Sequence, residues 1–137
     1  MSSTAQRGAN YLKTAHDYAQ GMGSFTDPEH ELSPEEVSEL LARGEIELID
    51  VREPYEWEAG RIAGAKHIEL ERLAARSGEI PRDRRVVFQC RLGARSAMAT
   101  QAFRAAGWDA YNMDGGIAEW ERRGLPLEPQ GGHVADH

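Results

Sequence analysis

The chain has 137 residues, which is enough for one domain with one hydrophobic core but not for two. Its 16 basic and 23 acidic residues give a formal net charge of -7, and these charges are scattered along the chain rather than grouped in blocks. We therefore exclude nucleic acids and membranes as the main partners, because both nucleic acids and anionic lipid surfaces bind basic proteins.

The cysteine content narrows the class of protein further. Cys90 is the single cysteine, so an internal disulfide and a metal site built on thiolates are both excluded. The five histidines occur at no metal-ligand spacing, and we expect neither a metal nor a cofactor. No stretch resembles a signal peptide or could cross a bilayer. These features predict a soluble, cytoplasmic protein, and the lack of a long apolar seam predicts a monomer.

Residues 1–30 form an N-terminal extension that is poor in Val, Ile and Leu. Four of its residues recur at helical spacing and predict a short helix: Tyr11, Ala15, Tyr18 and Met22. Two interpretations remain open for this extension, a partly ordered terminus and a helix that binds a partner protein.

The main body, residues 31–127, alternates strands and helices. Short apolar runs predict strands over residues 46–51, 65–70, 85–89 and 108–113. Helical spacing with start and stop signals predicts helices over residues 34–43, 54–60, 70–76, 96–106 and 117–123. This alternation indicates an α/β fold with a mostly parallel sheet, whereas residues 128–137 are expected to form a disordered tail.

Cys90 ends the apolar run of residues 85–89 and precedes a short loop that leads into a helix. In an α/β sheet, ligands bind beyond the carboxyl ends of the strands. Backbone N–H groups of a loop curled around the sulfur would stabilise a thiolate, and Gly93 would allow the required turn. Arg91 and Arg95 add positive charge, so this loop favours an anionic nucleophile that acts on an anionic substrate.

Three motifs resemble those of the single-domain rhodanese-like sulfurtransferases, over residues 32–127. They are IDVREPYEWEAGRIAGA (49–65), the active-site loop QCRLGARS (89–96) and MDGGIAEW (113–120). The resemblance implies a rhodanese-like α/β fold, with about five mostly parallel strands and helices on both faces. Two positions depart from the family pattern: Arg61 stands where His is common, and Ala63 where Pro is common.

The resemblance also implies a mechanism of two half-reactions. The Cys90 thiolate takes the sulfane sulfur of a small anionic donor such as thiosulfate, and a thiol, a protein acceptor or cyanide then removes it from the Cys90 persulfide. The residues expected to bind the substrate follow Cys90 in the loop: Arg91, Leu92, Gly93, Ala94, Arg95 and Ser96. Asp50 and Arg52 are expected to support the edge of the site through hydrogen bonds and an ion pair.

Three alternatives accompany this hypothesis. A phosphatase or arsenate reductase is disfavoured because Cys90 to Arg95 spans six residues, one fewer than the loop that cradles a tetrahedral oxyanion in those enzymes. A persulfide carrier fed by a partner desulfurase would use residues 1–30 for docking. A regulatory domain without turnover is disfavoured because the chain keeps Cys90, Gly93 and Arg95. The physiological donor and acceptor stay open.

Overall fold

A computed structural model describes residues 27–137 of the chain. The helix predicted from Tyr11 to Met22 lies outside the described residues. The first element that the structure describes is a 3-10 turn, Pro28–His30, whose start is capped by the Asp27 carboxylate. The first strand follows directly after this turn.

The five strands form one all-parallel sheet, which confirms the predicted α/β fold. Their bounds are β1 Glu31–Leu32, β2 Ile46–Asp50, β3 Lys66–His67, β4 Arg85–Gln89 and β5 Ala110–Met113. The strand order is β1-β5-β4-β2-β3, so β4 is central. Cys90 is the first residue after this central strand, at the edge of the sheet where the parallel strands end.

The described residues contain four α-helices: α1 Pro34–Ala42, α2 Pro54–Ala59, α3 Ala94–Ala105 and α4 Gly116–Arg122, of which the first three lie between strands and α4 follows β5. The predicted start of α1 is confirmed, because Ser33 and Glu36 form a reciprocal capping box and Pro34 occupies the first turn. Helix α3 begins two residues before the predicted Ser96 because Gly93 adopts a left-handed conformation and ends the loop early.

Three local predictions differ from the structure. The segment predicted as a strand over 65–70 pairs only at Lys66–His67, and the helical segment over 70–76 is a 3-10 turn, Leu70–Arg72, followed by turns. Strand β1 was not predicted, because two residues are too few to show an alternating pattern. It exists because it pairs with β5.

A hydrophobic cluster covers each face of the sheet, as both faces of a parallel sheet require. On one face, the ring of Phe103 in α3 lies 5.0 Å from the ring of Phe88 and 4.8 Å from the ring of Trp108. On the other face, Leu48 and Val87 lie in the same cluster as residues of α1 and α4. Within the described residues, no helix is both long enough and apolar enough to span a membrane.

The structure places residues 128–137, expected to be disordered, against the domain. Arg61 and Glu128 exchange two backbone hydrogen bonds of 2.9 and 2.8 Å, and the His133 N–H donates to the Ala59 carbonyl at 3.0 Å. Val134 is partly buried against the cluster that contains Trp120. These contacts are made with residues about 70 positions earlier in the chain, so the composition of residues 128–137 does not predict them.

Candidate active site

The Cys90 thiol lies at the end of β4 and just before α3. It is a free cysteine with only 1% of its surface exposed. Three groups donate hydrogen bonds to its Sγ: the Gly93 N–H at 3.1 Å, the Ser96 N–H at 3.4 Å and the Ser96 hydroxyl at 3.3 Å. Gly93 reaches this geometry with a φ of 103°, which disfavours any residue with a side chain.

The carbonyl side of the same loop is held by the start of α4. The Ile117 N–H donates to the Cys90 carbonyl at 2.8 Å, and the Ala118 N–H donates to the Arg91 carbonyl at 3.0 Å. Gly116 allows this close approach, because a Cβ there would lie 2.4 Å from the Arg91 oxygen. The double-glycine motif therefore braces the cysteine loop from behind.

Arg95 points to Glu56 of α2. Its two terminal nitrogens donate to the two carboxylate oxygens at 2.9 and 3.1 Å, and the Glu56 side chain is fully buried. Burial raises the pKa of Glu56, but the hydrogen bonds from Arg95 and from the Glu53 N–H outweigh it, so the pKa lies below its usual value. Glu56 is therefore ionised at neutral pH.

A pocket of about 280 Å³ opens over the thiol. It is lined by Cys90, Arg91, Leu92, Ala94, Arg95 and His137. Its size suits a small ligand rather than a folded chain. Gly93 and Ser96, also expected to bind substrate, instead lie behind the sulfur and donate to it.

Both arginines of the loop already have acidic partners. Arg95 is paired with Glu56, and the Arg91 guanidinium lies 3.4 Å from the carboxylate of Asp136. The pocket is thus less positive than two free guanidinium groups would make it. Asp136 is fully exposed, so its attraction for Arg91 is weakened by water.

Residues 33–123 match the family model of the Rhodanese-like domain. The chain belongs to the rhodanese-like family. A "Sulfurtransferase" of Allochromatium vinosum is 39% identical to it over 105 residues, which cover 74% of this chain and 98% of the relative. Some other curated relatives are longer, and the chain spans less than half of their length.

Solved structures agree with this membership. A rhodanese-related protein from Thermoplasma volcanium has a TM-score of 0.68 and 27% identity, over 72% of this chain and 97% of the other. A protein described as a probable thiosulfate sulfurtransferase has a TM-score of 0.61 and 32% identity, over 73% of this chain and 48% of the other. The rhodanese-like fold is therefore shared across the part that carries the cysteine loop.

The first motif of this rhodanese-like domain forms a buried ion pair. Arg52 donates to both carboxylate oxygens of Asp50, with the shortest contact 2.8 Å, and both side chains are completely buried. Arg52 also donates to the Gly60 carbonyl at 2.8 Å, which ties the end of β2 to the end of α2. Asp50 pairs with Gln89 in the sheet, so the ion pair lies next to the end of β4, the strand that precedes Cys90.

The two positions that depart from the family pattern, Arg61 and Ala63, lie outside the cysteine loop. Arg61 pairs through its backbone with Glu128, and its guanidinium lies 5.3 Å from the Trp57 ring. Ala63 is exposed on the turn before β3. Neither residue lines the pocket over Cys90.

Sequence reasoning missed three residues of the rhodanese-like site. Glu56 stands within the first motif, and its position among aromatic residues was an available signal. Asn112 of β5 donates to the Gly93 carbonyl at 3.2 Å and to Glu31 at 3.0 Å, and an amide inside an apolar strand was a weaker signal. His137 lines the pocket, and nothing in the sequence pointed to it.

Proposed function

We propose that this domain is a sulfurtransferase that moves a sulfane sulfur from thiosulfate, or another small anionic donor, to a thiol or cyanide. The observation that carries this proposal is the set of three donors on Cys90 Sγ. A neutral thiol is a poor acceptor, whereas a thiolate or a persulfide anion accepts several hydrogen bonds well. Membership of the rhodanese-like family supports the same chemistry.

The loading step follows from this arrangement. The Cys90 thiolate attacks the outer sulfur of thiosulfate and forms a new S–S bond. The S–S bond of the donor breaks, and sulfite leaves with its electron pair. The Gly93 and Ser96 groups that stabilise the thiolate also lie where they can stabilise a persulfide anion.

The charges around the pocket support an anionic donor, although less strongly than the sequence predicted. Arg95 is held by Glu56, so its positive charge acts from a fixed position rather than as a mobile clamp. Among the residues that the structure describes, the charged partner of Arg91 is the exposed Asp136 carboxylate at 3.4 Å, and an anionic donor can compete for Arg91. A structural relative described as a probable thiosulfate sulfurtransferase favours thiosulfate as the first donor to test.

A protein acceptor or donor is a second candidate, because apolar surface flanks the pocket. Leu92 in the loop is 61% exposed, and Tyr55, whose hydroxyl lies 3.3 Å from the His137 ring, is 53% exposed. Large exposed apolar side chains beside a site are typical of protein contacts. We expect Leu92→Ser to slow sulfur transfer to reduced thioredoxin, used as a protein probe, while transfer to a small thiol is unchanged.

The phosphatase alternative is disfavoured by Arg95 as well as by the loop length. Both terminal nitrogens of Arg95 are bonded to Glu56, so the guanidinium cannot clamp a tetrahedral oxyanion without breaking a buried ion pair. Hydrolysis of an aryl phosphate that is lost in Cys90→Ser would contradict this interpretation.

The test of the proposed function is an intact-mass spectrum of the reduced protein before and after thiosulfate. We expect a gain of one sulfur atom, absent in Cys90→Ser and reversed by cyanide. Absence of the gain, in protein whose thiol still reacts with an alkylating agent, would exclude thiosulfate as the donor. A reducing cytoplasm suits this chemistry because it keeps the single thiol free.

A further inference from the structure

Residues 128–137, named here the strap, lie across one side of the active-site pocket. Backbone hydrogen bonds attach the strap to Arg61 and Ala59, at the end of α2. Its last residue, His137, lines the pocket together with Cys90. The strap thus brings a histidine to a site whose other lining residues all come from the cysteine loop and the start of α3.

Gly60 leaves room for the strap because glycine has no side chain. A Cβ at this position would lie 2.4 Å from the His133 carbonyl oxygen and 2.6 Å from its nitrogen. The φ of Gly60 is 175°, an extended value that any residue can adopt. The close approach of the strap therefore explains why a glycine is needed at position 60, whereas the backbone conformation does not require one.

The His137 ring is oriented by helix α2. Its Nδ1 lies 3.2 Å from a carboxylate oxygen of the buried Glu56 and 3.3 Å from the Tyr55 hydroxyl. An ionised carboxylate only accepts hydrogen bonds, so it favours the tautomer with the proton on Nδ1. That tautomer leaves a lone pair on Nε2, which has no hydrogen-bond partner among the described residues.

We propose that His137 is a catalytic base for the second half-reaction, in which Nε2 accepts the proton of a thiol acceptor bound in the pocket. This inference rests on the proposed sulfurtransferase function. The acceptor thiol gives its proton to Nε2, and its sulfur attacks the outer sulfur of the Cys90 persulfide. A new S–S bond forms, the Cys90 S–S bond breaks, and Cys90 leaves as a thiolate. The products are the acceptor persulfide and an imidazolium, which returns its proton to solvent.

A base is useful in this half-reaction and not in the first. Three donors already point at the Cys90 sulfur, whereas an incoming thiol brings its own proton. A free thiol has a pKa of about 8.5 and is mostly protonated at neutral pH. A positioned base typically accelerates such a proton transfer by about 100-fold or more.

The charges around His137 suit this role. Glu56 and Tyr55 face the ring from α2, Arg95 of α3 shares the Glu56 carboxylate, and Asp136 with Arg91 lies beside it. Glu56 is the acidic group in direct contact with the ring, 3.2 Å from Nδ1, on the side of the imidazole away from Nε2.

The experiment separates the two half-reactions in single turnovers. Wild type, His137→Ala and His137→Gln are loaded with thiosulfate, freed of donor, and mixed at pH 7 with 2-mercaptoethanol or with sulfite. Sulfite attacks as an anion and needs no base in this step. We expect both variants to load normally, to lose at least about ten-fold in the rate with the thiol, and to keep the rate with sulfite. The defect should shrink as pH rises above the pKa of the acceptor thiol.

Two variants sharpen the interpretation. Gln can donate its amide to Glu56 but cannot accept a proton, so a full rate in His137→Gln would overturn the assignment of a base. His133→Ala changes an exposed histidine of the same strap and should match wild type with both acceptors. Equal losses with thiol and sulfite would show that His137 only shapes the pocket, and would also overturn the proposal. Failure of wild type to load would instead exclude thiosulfate as the donor and so contradict the proposed function for that donor.

Discussion

Arg95 and Glu56 form a two-point ion pair, with contacts of 2.9 and 3.1 Å, between the first turn of α3 and the first turn of α2. The same carboxylate accepts a hydrogen bond from the Glu53 N–H at 2.9 Å and contacts His137. One buried carboxylate therefore joins the cysteine loop, the start of α2 and the strap. The position of Arg95 beside Cys90 depends on a residue 39 positions away in the chain.

Removal of Glu56 should destabilise the domain. Glu56→Ala leaves the guanidinium of Arg95 without its partner, and such losses from buried pairs typically cost about 3 kcal/mol. Urea unfolding at neutral pH measures this change. Glu58→Ala, an exposed position of the same helix, is the matched control and should change the free energy of unfolding by less than about 0.5 kcal/mol. Equal effects of the two variants would show that the ion pair contributes little.

The Ser96 hydroxyl should accelerate loading of the persulfide. Ser96→Ala removes one of the three donors on Cys90 Sγ, while the two backbone N–H groups remain. A hydrogen bond to an anion contributes about 1.5 kcal/mol, so we expect loading to slow by about ten-fold. Stopped-flow mixing with thiosulfate measures this rate. Ser38→Ala, on helix α1, serves as the control, and an unchanged rate in Ser96→Ala would refute the contribution of the hydroxyl.

Gly116 should be more sensitive to substitution than Gly124. Both have a left-handed φ, 66° and 76°, so an alanine at either position carries a conformational cost of about 1 kcal/mol. At Gly116 the new Cβ would also lie within 2.5 Å of the Cys90 and Arg91 carbonyl oxygens, whereas at Gly124 nothing lies within 4 Å.

We therefore expect Gly116→Ala to displace the cysteine loop and to abolish loading, with a clearly lower melting temperature. Gly124→Ala should load normally and lose only the conformational cost. Thermal unfolding and intact mass give the two readouts. Normal loading by Gly116→Ala would mean that the loop tolerates loss of its support from α4.

Glu31 should make stability depend on pH. Burial raises the pKa of this carboxyl to about 7; the Asn112 hydrogen bond acts in the opposite direction, and the charges of Asp114 and Asp27 raise the pKa further. A carboxyl whose pKa is raised on folding binds its proton more tightly in the folded state. Its contribution to stability is thus present below the unfolded value of 4.5 and is lost as pH rises to about 7.

We expect Glu31→Gln to remove this loss, so that the variant gains stability relative to wild type between pH 5 and pH 8. Melting temperatures measured across that range test the prediction. Glu29→Gln, an exposed neighbour in the preceding turn, should follow the wild-type curve. A constant difference between Glu31→Gln and wild type would contradict the assigned direction.

Much of the fold could be predicted from the sequence because it depends on neighbours in the chain. Three features can each be recognised from a few adjacent residues: the Ser33 capping box, the apolar run of β4 and Gly93 in the loop after Cys90. The cysteine loop could be predicted for the same reason, because a thiol between a buried strand and a helix is a pattern of adjacent residues. The all-parallel sheet then follows from the alternation of strands and helices.

The tertiary structure decided which distant groups meet that loop. Glu56 binds Arg95, Asn112 binds the Gly93 carbonyl, and the strap brings His137 to the pocket. Strand β1 exists only through its pairing with β5. These contacts join residues far apart in the sequence, and their formation depends on how the layers pack rather than on local preference. For that reason the sequence by itself determined the position of the cysteine and its loop, whereas the charges and the histidine around them became visible only in the folded chain.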